Sequence, residues 1–142
     1  MEKKLFLYLT SISTSTKTPI FKVQVDGIDI THIGKSSTID RYKEKIVFEY
    51  AVPKIKKIEI ELVNKEPTDT LVVDNKITED LLLIIDSIKI DSIDLTDKLD
   101  KISVYRGAGQ VYRSHGYITF RGTMTIKIHD NLLYTDWLSG LL

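Results

Sequence analysis

Residues 81–90 read LLLIIDSIKI and determine the fold class, because such a stretch is either a long strand or a buried helix. Its first five residues are all apolar, as expected of a strand covered on both faces, and its second half alternates. A helix over 78–90 is the alternative, since Thr78 followed by Glu79 and Asp80 is typical of a helix start. The four isoleucines of the stretch lose rotamer freedom in a helix, and no alanine offsets that cost. The stretch therefore predicts a strand.

The composition of the whole chain also favours strands. Its 142 residues include 20 isoleucines, 9 valines and 14 threonines, against two alanines. β-Branched side chains pack well on the pleated surface of a sheet. A chain of this length buries roughly 70% of its unfolded surface, so it can form a core although it has no cysteine for disulfides. We expect one domain over residues 1–142.

Turn residues between alternating runs predict two tight hairpins. Asp26-Gly27 separates the run 21–25 from the run 28–33, and Arg121-Gly122 separates 117–120 from 123–128. About eight to ten strands follow one another at intervals of about 8–12 residues, with no helix-length segment between them. This pattern predicts an all-β fold, namely a two-sheet antiparallel β-sandwich of the jelly-roll-like type.

Charge and hydropathy exclude several classes of function. The chain carries 20 basic and 20 acidic residues, and the acidic excess lies within 58–100. Without a converging basic cluster we expect no nucleic-acid partner. No stretch approaches the roughly 18 apolar residues of a membrane span, so we expect no membrane partner. The apolar run 5–9 is too short for a secretory signal, which predicts an untargeted chain.

Catalysis is not expected from the motifs of this chain. The three histidines, His32, His115 and His129, lie in no recognisable catalytic pattern, and neither a nucleophile elbow nor a phosphate-binding glycine loop occurs. His32 and His129 are predicted to lie in strands, whereas His115 lies in a loop. We therefore predict that the protein is not an enzyme. The alternative is a small hydrolase in which a carboxylate within a cleft hydrogen-bonds to His115.

A cluster of aromatic and basic residues late in the chain is a candidate glycan-binding surface. β-Sandwich proteins bind sugars with aromatic rings against pyranose faces and with polar groups on the hydroxyls. One 13-residue stretch supplies both kinds of group: Tyr105, Arg106, Tyr112, Arg113, His115 and Tyr117. The alternative is that alternate tyrosines merely cover a sheet while the arginines stay in solvent.

The acidic loops are candidate calcium sites, because calcium takes six to eight oxygen ligands. Carboxylates crowd the loops between 66 and 100, but none has the spacing of an EF-hand. We expect no cofactor, and solvated acidic loops explain the pattern. The alternative is one calcium ion that joins Asp130 or Asp136 to a loop that carries Asp69.

The segment 131–142 is unusually apolar for the end of a domain. Ends fray unless they dock, so we expect this segment to pack as a last strand or to bind a neighbouring subunit. A lone tryptophan is typical of a core or interface anchor. The candidate assembly residues are Trp137, Leu138, Leu141 and Leu142.

The stretches 58–70 and 81–95 resemble the middle of small calcium-dependent, xylan-binding-type carbohydrate-binding modules. In that family a strand ends in Asn-Asp, a loop follows, and a strand with alternating isoleucines returns before a glycine. Here Lys65 follows Asn64 where the family has aspartate, and Ser92 stands in place of the glycine. The resemblance implies a β-sandwich fold.

With the segments 19–27 and 122–126 and the terminal Asp136-Trp137, residues 19–137 are similar to module-like domains in virion proteins of tailed bacteriophages. This resemblance implies a non-enzymatic structural or accessory protein of the capsid, neck or tail. Its partners would be other virion or assembly proteins, and its location the virion, or the host cytoplasm before assembly. The alternative is a free lectin-like module that binds a host surface polysaccharide.

Overall fold

The computed structural model describes residues 2–107, 109–113 and 115–128. Helical structure within these residues is limited to the one-turn helix α1 (Leu99–Ile102) and 3₁₀ turns at Thr31–Ile33, Pro67–Asp69 and Thr96–Lys98. The described residues form the strands β1 (Lys3–Ile12), β2 (Phe21–Val25), β3 (Ile28–Asp29), β4 (Lys35–Asp40), β5 (Lys43–Val52), β6 (Lys57–Leu62), β7 (Leu71–Val73), β8 (Lys76–Glu79), β9 (Leu82–Ile90), β10 (Ile93–Asp94), β11 (Ser103–Gly107), β12 (Gln110–Tyr112), β13 (Tyr117–Ile118) and β14 (Gly122–Lys127).

The strands form two large antiparallel sheets. Sheet I has the order β10-β9-β1-β5-β4, and β13 also pairs with β9. Sheet II has the order β12-β11-β14-β6-β2-β3, and β7 and β8 form a separate hairpin. The predicted all-β, two-sheet antiparallel sandwich is thus confirmed, and the jelly-roll connectivity stays a prediction.

A single apolar core lies between the two sheets. Sheet I contributes the inward side chains of β1, β5 and β9, and sheet II those of β2, β6, β11 and β14. Alternation along each strand sends every second side chain into this core. The completely buried core residues include Leu5, Leu7, Leu9, Phe48, Leu83 and Ile88 of sheet I and Val23, Ile58, Ile60, Leu62, Met124 and Ile126 of sheet II.

The stretch 81–90 contributes a strand, β9, as its sequence predicts. The outward face of β9 is only half-buried, so the expected cover on both faces is incomplete. Ile85 and Ile88 both point into the core although three positions separate them. A register shift in the pairing of β9 with β1 explains this arrangement. Asp86 is an extra residue on β9 with no partner on β1, so the side chains after it change faces. The Asp86 carboxylate then accepts a hydrogen bond of 2.5 Å from the Thr10 hydroxyl.

One local structure occurs twice in this molecule, once at the edge of each sheet. The segments VDGIDIT at 25–31 and IDSIDLT at 90–96 each form a hairpin followed by a 3₁₀ turn. In each, the threonine amide donates to the aspartate two residues earlier, at 2.8 and 2.9 Å. In each, the threonine hydroxyl also accepts from a backbone amide of the preceding strand, that of Val23 or of Ile88.

We expect Thr31→Val and Thr96→Val each to lower the free energy of unfolding by about 1–3 kcal/mol, because each leaves a strand amide without its acceptor. The two effects should add, since the strand amides that donate to the two hydroxyls lie in different sheets. Urea unfolding measures both values. Thr38→Val on the exposed strand β4 is the control and should change the stability by less than about 0.5 kcal/mol. A large effect at one threonine alone would contradict the equivalence of the two hairpins.

Two local predictions are wrong. Arg121-Gly122 does not close a hairpin, because β13 pairs with β9 in sheet I whereas β14 pairs with β6 and β11 in sheet II. The chain at these residues therefore passes from one sheet to the other. His32 lies in a 3₁₀ turn instead of a strand.

The prediction for His129 and those for the segment 131–142 lie outside the described residues. Within the part of the chain that the structure describes, no helix has the length and hydropathy needed to cross a bilayer.

Candidate functional site

Five of the six candidate glycan-binding residues line one surface depression of about 360 Å³. We call it the aromatic depression. Its lining residues are Tyr105, Tyr112, Arg113, His115, Tyr117, Thr119 and Phe120. Arg106 instead lines a separate depression together with Gly107 and residues 109–111, because neighbouring residues of a strand point to opposite faces.

The strands β11, β12 and β13 bring the lining residues of the aromatic depression together. Tyr105 and Tyr112 are opposite each other in the antiparallel pair β11–β12, at the edge of sheet II. Tyr117 begins β13 and is paired with Ile84 of sheet I. The aromatic depression therefore lies where the chain leaves sheet II for sheet I, which a local sequence pattern does not reveal.

Tyr105 supports the aromatic depression from below and does not present its ring to a ligand. Its side chain is 1% exposed, and its ring stacks on that of Phe120 at 4.5 Å between centroids. Its hydroxyl donates to the Phe120 carbonyl oxygen and accepts from the Phe120 amide at 3.2 Å. Burial raises the pKa of Tyr105 to about 12.

Phe120 is a site residue that sequence reasoning missed. Its ring is half-buried and lies edge-on to the Tyr112 ring, at 4.9 Å between centroids and 70° between planes. Period-two alternation from Ile118 assigns Phe120 to the core, so no sequence signal pointed to a surface role. With Tyr105 beneath it and Tyr112 beside it, Phe120 forms a fixed apolar floor.

The rim of the aromatic depression is exposed and polar. Tyr112 and Tyr117 are 37% and 56% exposed, and Arg113 and His115 are also exposed. The Tyr112 hydroxyl donates to the Gln110 side-chain oxygen at 2.7 Å, which holds the Tyr112 ring in place. The site thus combines two accessible rings with donors on flexible side chains.

A second depression of about 460 Å³ adjoins the first. We call it the Arg121 depression. Thr119 and Phe120 line both depressions, so the two meet along these residues. The other lining residues of the Arg121 depression are Lys65, Glu66, Pro67, Thr70 and Arg121.

Lys65 is buried at the base of the Arg121 depression. Its side chain is 4% exposed, and its ammonium group pairs with the Asp80 carboxylate and donates to the Leu81 carbonyl oxygen at 2.7 Å. The Thr70 hydroxyl donates to the same oxygen of Asp80, also at 2.7 Å. The chain therefore supplies its own cation to a carboxylate and a carbonyl that converge below the surface.

The two residues at the positions of the family's Asn-Asp pair do not fit a calcium ion. Both side-chain polar atoms of Asn64 are used within the chain, since the amide donates to the Thr18 carbonyl and the oxygen accepts from the Ile20 amide. The next residue is Lys65, whose ammonium group repels a cation. Among the described residues no group of three metal-ligating side chains occurs.

Asp69 is held by other residues of the chain. Its carboxylate pairs with the Lys17 ammonium group at 2.7 Å and accepts from the Glu66 amide at 2.7 Å. The hydrogen bond from Lys17 and that from the Glu66 amide lower the pKa of Asp69. Asp130 and Asp136, the other candidate calcium ligands, lie outside the described residues.

Comparison with family models, curated proteins and solved structures gave no match for this chain.

We expect Tyr105→Phe to lower the free energy of unfolding by about 1–3 kcal/mol, because two backbone groups of Phe120 lose their partner. The effect depends on pH. The folded-state pKa of Tyr105, about 12, lies above the ordinary value of 10.0, so the hydroxyl stabilises the fold below pH 10 and ceases to do so toward pH 12. The stability gap between wild type and variant should therefore narrow over this range in urea unfolding. A gap that is constant with pH would contradict this role of the hydroxyl.

Proposed function

We propose that this protein is a non-enzymatic β-sandwich module that binds a glycan in the aromatic depression. The observation that carries the proposal is the meeting of Tyr112 and Tyr117, both exposed, with Arg113 and His115 above the floor of Phe120. A concave surface with apolar walls and a few polar groups is the usual form of a small-ligand site.

The chemistry of these groups matches a saccharide. Aromatic rings pack against the apolar faces of pyranose rings, and the fixed orientation of Phe120 and Tyr112 reduces the entropy lost on binding. Arginine and histidine donate hydrogen bonds to hydroxyl and ring oxygens. The virion-module resemblance supports a surface polysaccharide of a bacterial host as the source of the glycan.

The test is binding of the whole chain to a broad glycan array. Binding of at least one glycan should be reduced at least tenfold by the double variant Tyr112→Ala with Arg113→Ala. The matched control is Arg41→Ala with Tyr42→Ala, an adjacent arginine and tyrosine on the β4–β5 turn, where Tyr42 is also 37% exposed. Silence of the wild type across the array, or equal losses in both variants, would refute the proposal.

A second candidate function is that of a structural virion component that assembles with further copies of itself. The hairpin β7–β8 favours it, because four of its apolar side chains are 42–64% exposed: Leu71, Val72, Val73 and Ile77. Within the described residues β8 pairs only with β7, so its outer edge is open. A two-stranded hairpin is only marginally stable alone, and an unpaired strand edge with apolar side chains can pair with a strand of another chain.

Charge complementarity favours a second copy as the occupant of this edge. The β8 strands of two copies can pair antiparallel about a centre between Ile77 and Thr78. Each Lys76 then lies opposite a Glu79 of the other copy. Light scattering after size exclusion should detect dimers that Lys76→Glu weakens and Lys76→Glu with Glu79→Lys restores. A wild type that stays monomeric at high concentration would refute this assembly.

A further inference from the structure

The two depressions adjoin each other, and we call the pair the groove. Phe120 and Thr119 line both of them. Their volumes of about 360 and 460 Å³ each fall within the range of small-ligand sites. A ligand bound on the Tyr117 side can therefore continue across Phe120 toward Arg121.

The charged groups of this groove are mostly basic. Arg113 and His115 line the aromatic depression without any Asp or Glu among its lining residues. In the Arg121 depression the Lys65 charge is balanced by Asp80, which leaves Arg121 and Glu66 as the exposed charges. Neither Arg113 nor Arg121 forms an ion pair with the residues that the structure describes.

Two arginines without ion-pair partners in the described chain suit carboxylates of a ligand. The guanidinium group binds a carboxylate through two parallel hydrogen bonds, and it is less strongly hydrated than an ammonium group. A neutral sugar would use these side chains only as ordinary donors. An acidic sugar would make charge-assisted bonds at both ends of the groove.

From this arrangement we propose that the ligand is an acidic oligosaccharide, with carboxylates on its sugar rings, which spans both depressions. The inference rests on the proposed glycan-binding function and adds the charge and the length of the ligand. Phe120 is the ring over which the oligosaccharide passes, Arg113 binds a carboxylate at one end, and Arg121 binds one at the other.

The test compares acidic oligosaccharides with their own methyl esters, which keep the rings and remove the charge. Oligogalacturonates, oligomannuronates and hyaluronan fragments of two and six residues are titrated into the whole chain by calorimetry. We expect at least one acidic hexamer to bind at least tenfold more tightly than its ester and more tightly than its dimer. Binding of the acid should weaken steeply as the salt concentration rises.

Variants locate the second contact. Arg121→Gln should weaken hexamer binding about tenfold and leave dimer binding unchanged. The control Arg106→Gln changes an exposed arginine of the separate depression and should affect neither ligand. Exposed substitutions of this kind rarely alter folding, which thermal unfolding of each variant verifies.

The outcomes separate the inference from the function on which it rests. If esters or neutral glycans bind as tightly as the acids, or if Arg121→Gln has no effect on the hexamer, the acidic two-depression ligand is wrong and the glycan-binding function survives. If no glycan of either charge binds, in the titrations or on the array, the proposed function itself fails.

Discussion

Replacement of Lys65 by alanine should lower the free energy of unfolding by about 3–5 kcal/mol, a large share of the stability of a domain of this size. The substitution leaves the Asp80 carboxylate and the Leu81 carbonyl oxygen below the surface without their cation. The Asp80 side chain is only 17% exposed, so its charge retains much of its cost of desolvation once the partner is lost. Urea unfolding, with the denaturant slope checked against the wild type, measures the effect.

Lys4→Ala is the matched control for this prediction. Lys4 and Glu49 also form an ion pair, at 3.4 Å, but both side chains are about half exposed. Solvent screens such a pair, so the expected change is below about 1 kcal/mol. Equal effects at Lys65 and Lys4 would contradict the role assigned to the buried pair.

A double variant tests the pairing itself. Lys65→Met with Asp80→Asn removes both charges together, and its cost should be smaller than the sum of the two single costs by at least about 1 kcal/mol. Additive costs would show that Lys65 acts through packing and not through its charge.

Gly122→Ala should lower the free energy of unfolding by about 3 kcal/mol, at the upper end of the usual cost of overpacking. A Cβ atom at this position would lie 2.4 Å from the Arg106 carbonyl oxygen and 2.7 Å from the Tyr105 ring. The Arg106 oxygen belongs to the backbone of the paired strand β11, so relief requires the strands to separate. Because Tyr105 supports the floor of the aromatic depression, the variant should also weaken glycan binding.

Gly27→Ala separates this steric effect from the conformational freedom of glycine. Gly27 has a φ of +82°, and a Cβ atom added there would meet no heavy atom within 4 Å beyond its chain neighbours, so only backbone strain opposes the substitution. The expected cost is about 1 kcal/mol, measured in the same urea unfolding. A cost at Gly27 equal to that at Gly122 would contradict the steric explanation.

Some of the candidate site was predictable because its residues are neighbours in the sequence. Tyr105 and Tyr112 are joined by a tight connection between paired strands, so sequence proximity became spatial proximity. The same local rule placed the Asp26-Gly27 hairpin correctly. It failed at Arg121-Gly122, where the pattern of two strands and a turn is equally compatible with a passage between sheets.

Other parts of the site depend on contacts between distant residues. Lys65 and Asp80 are separated by 15 positions, and the Lys17–Asp69 pair by 52. Their charges read as solvated loops, because a sequence shows the charge of a residue and not its burial. Phe120 likewise alternates with the core residue Ile118, and only the tertiary structure places it in the lining of both depressions.

The order of the amino acids was enough to predict the class of fold and the faces of the strands. The alternating segments of the chain leave each strand with one apolar face, and only a second sheet can cover it. Tertiary contacts settled which edges meet, that Lys65 supplies an internal cation, and that two depressions join at Phe120. These features depend on contacts between residues that are far apart in the chain. A local sequence pattern does not show which distant residues will be in contact, so it cannot predict these features.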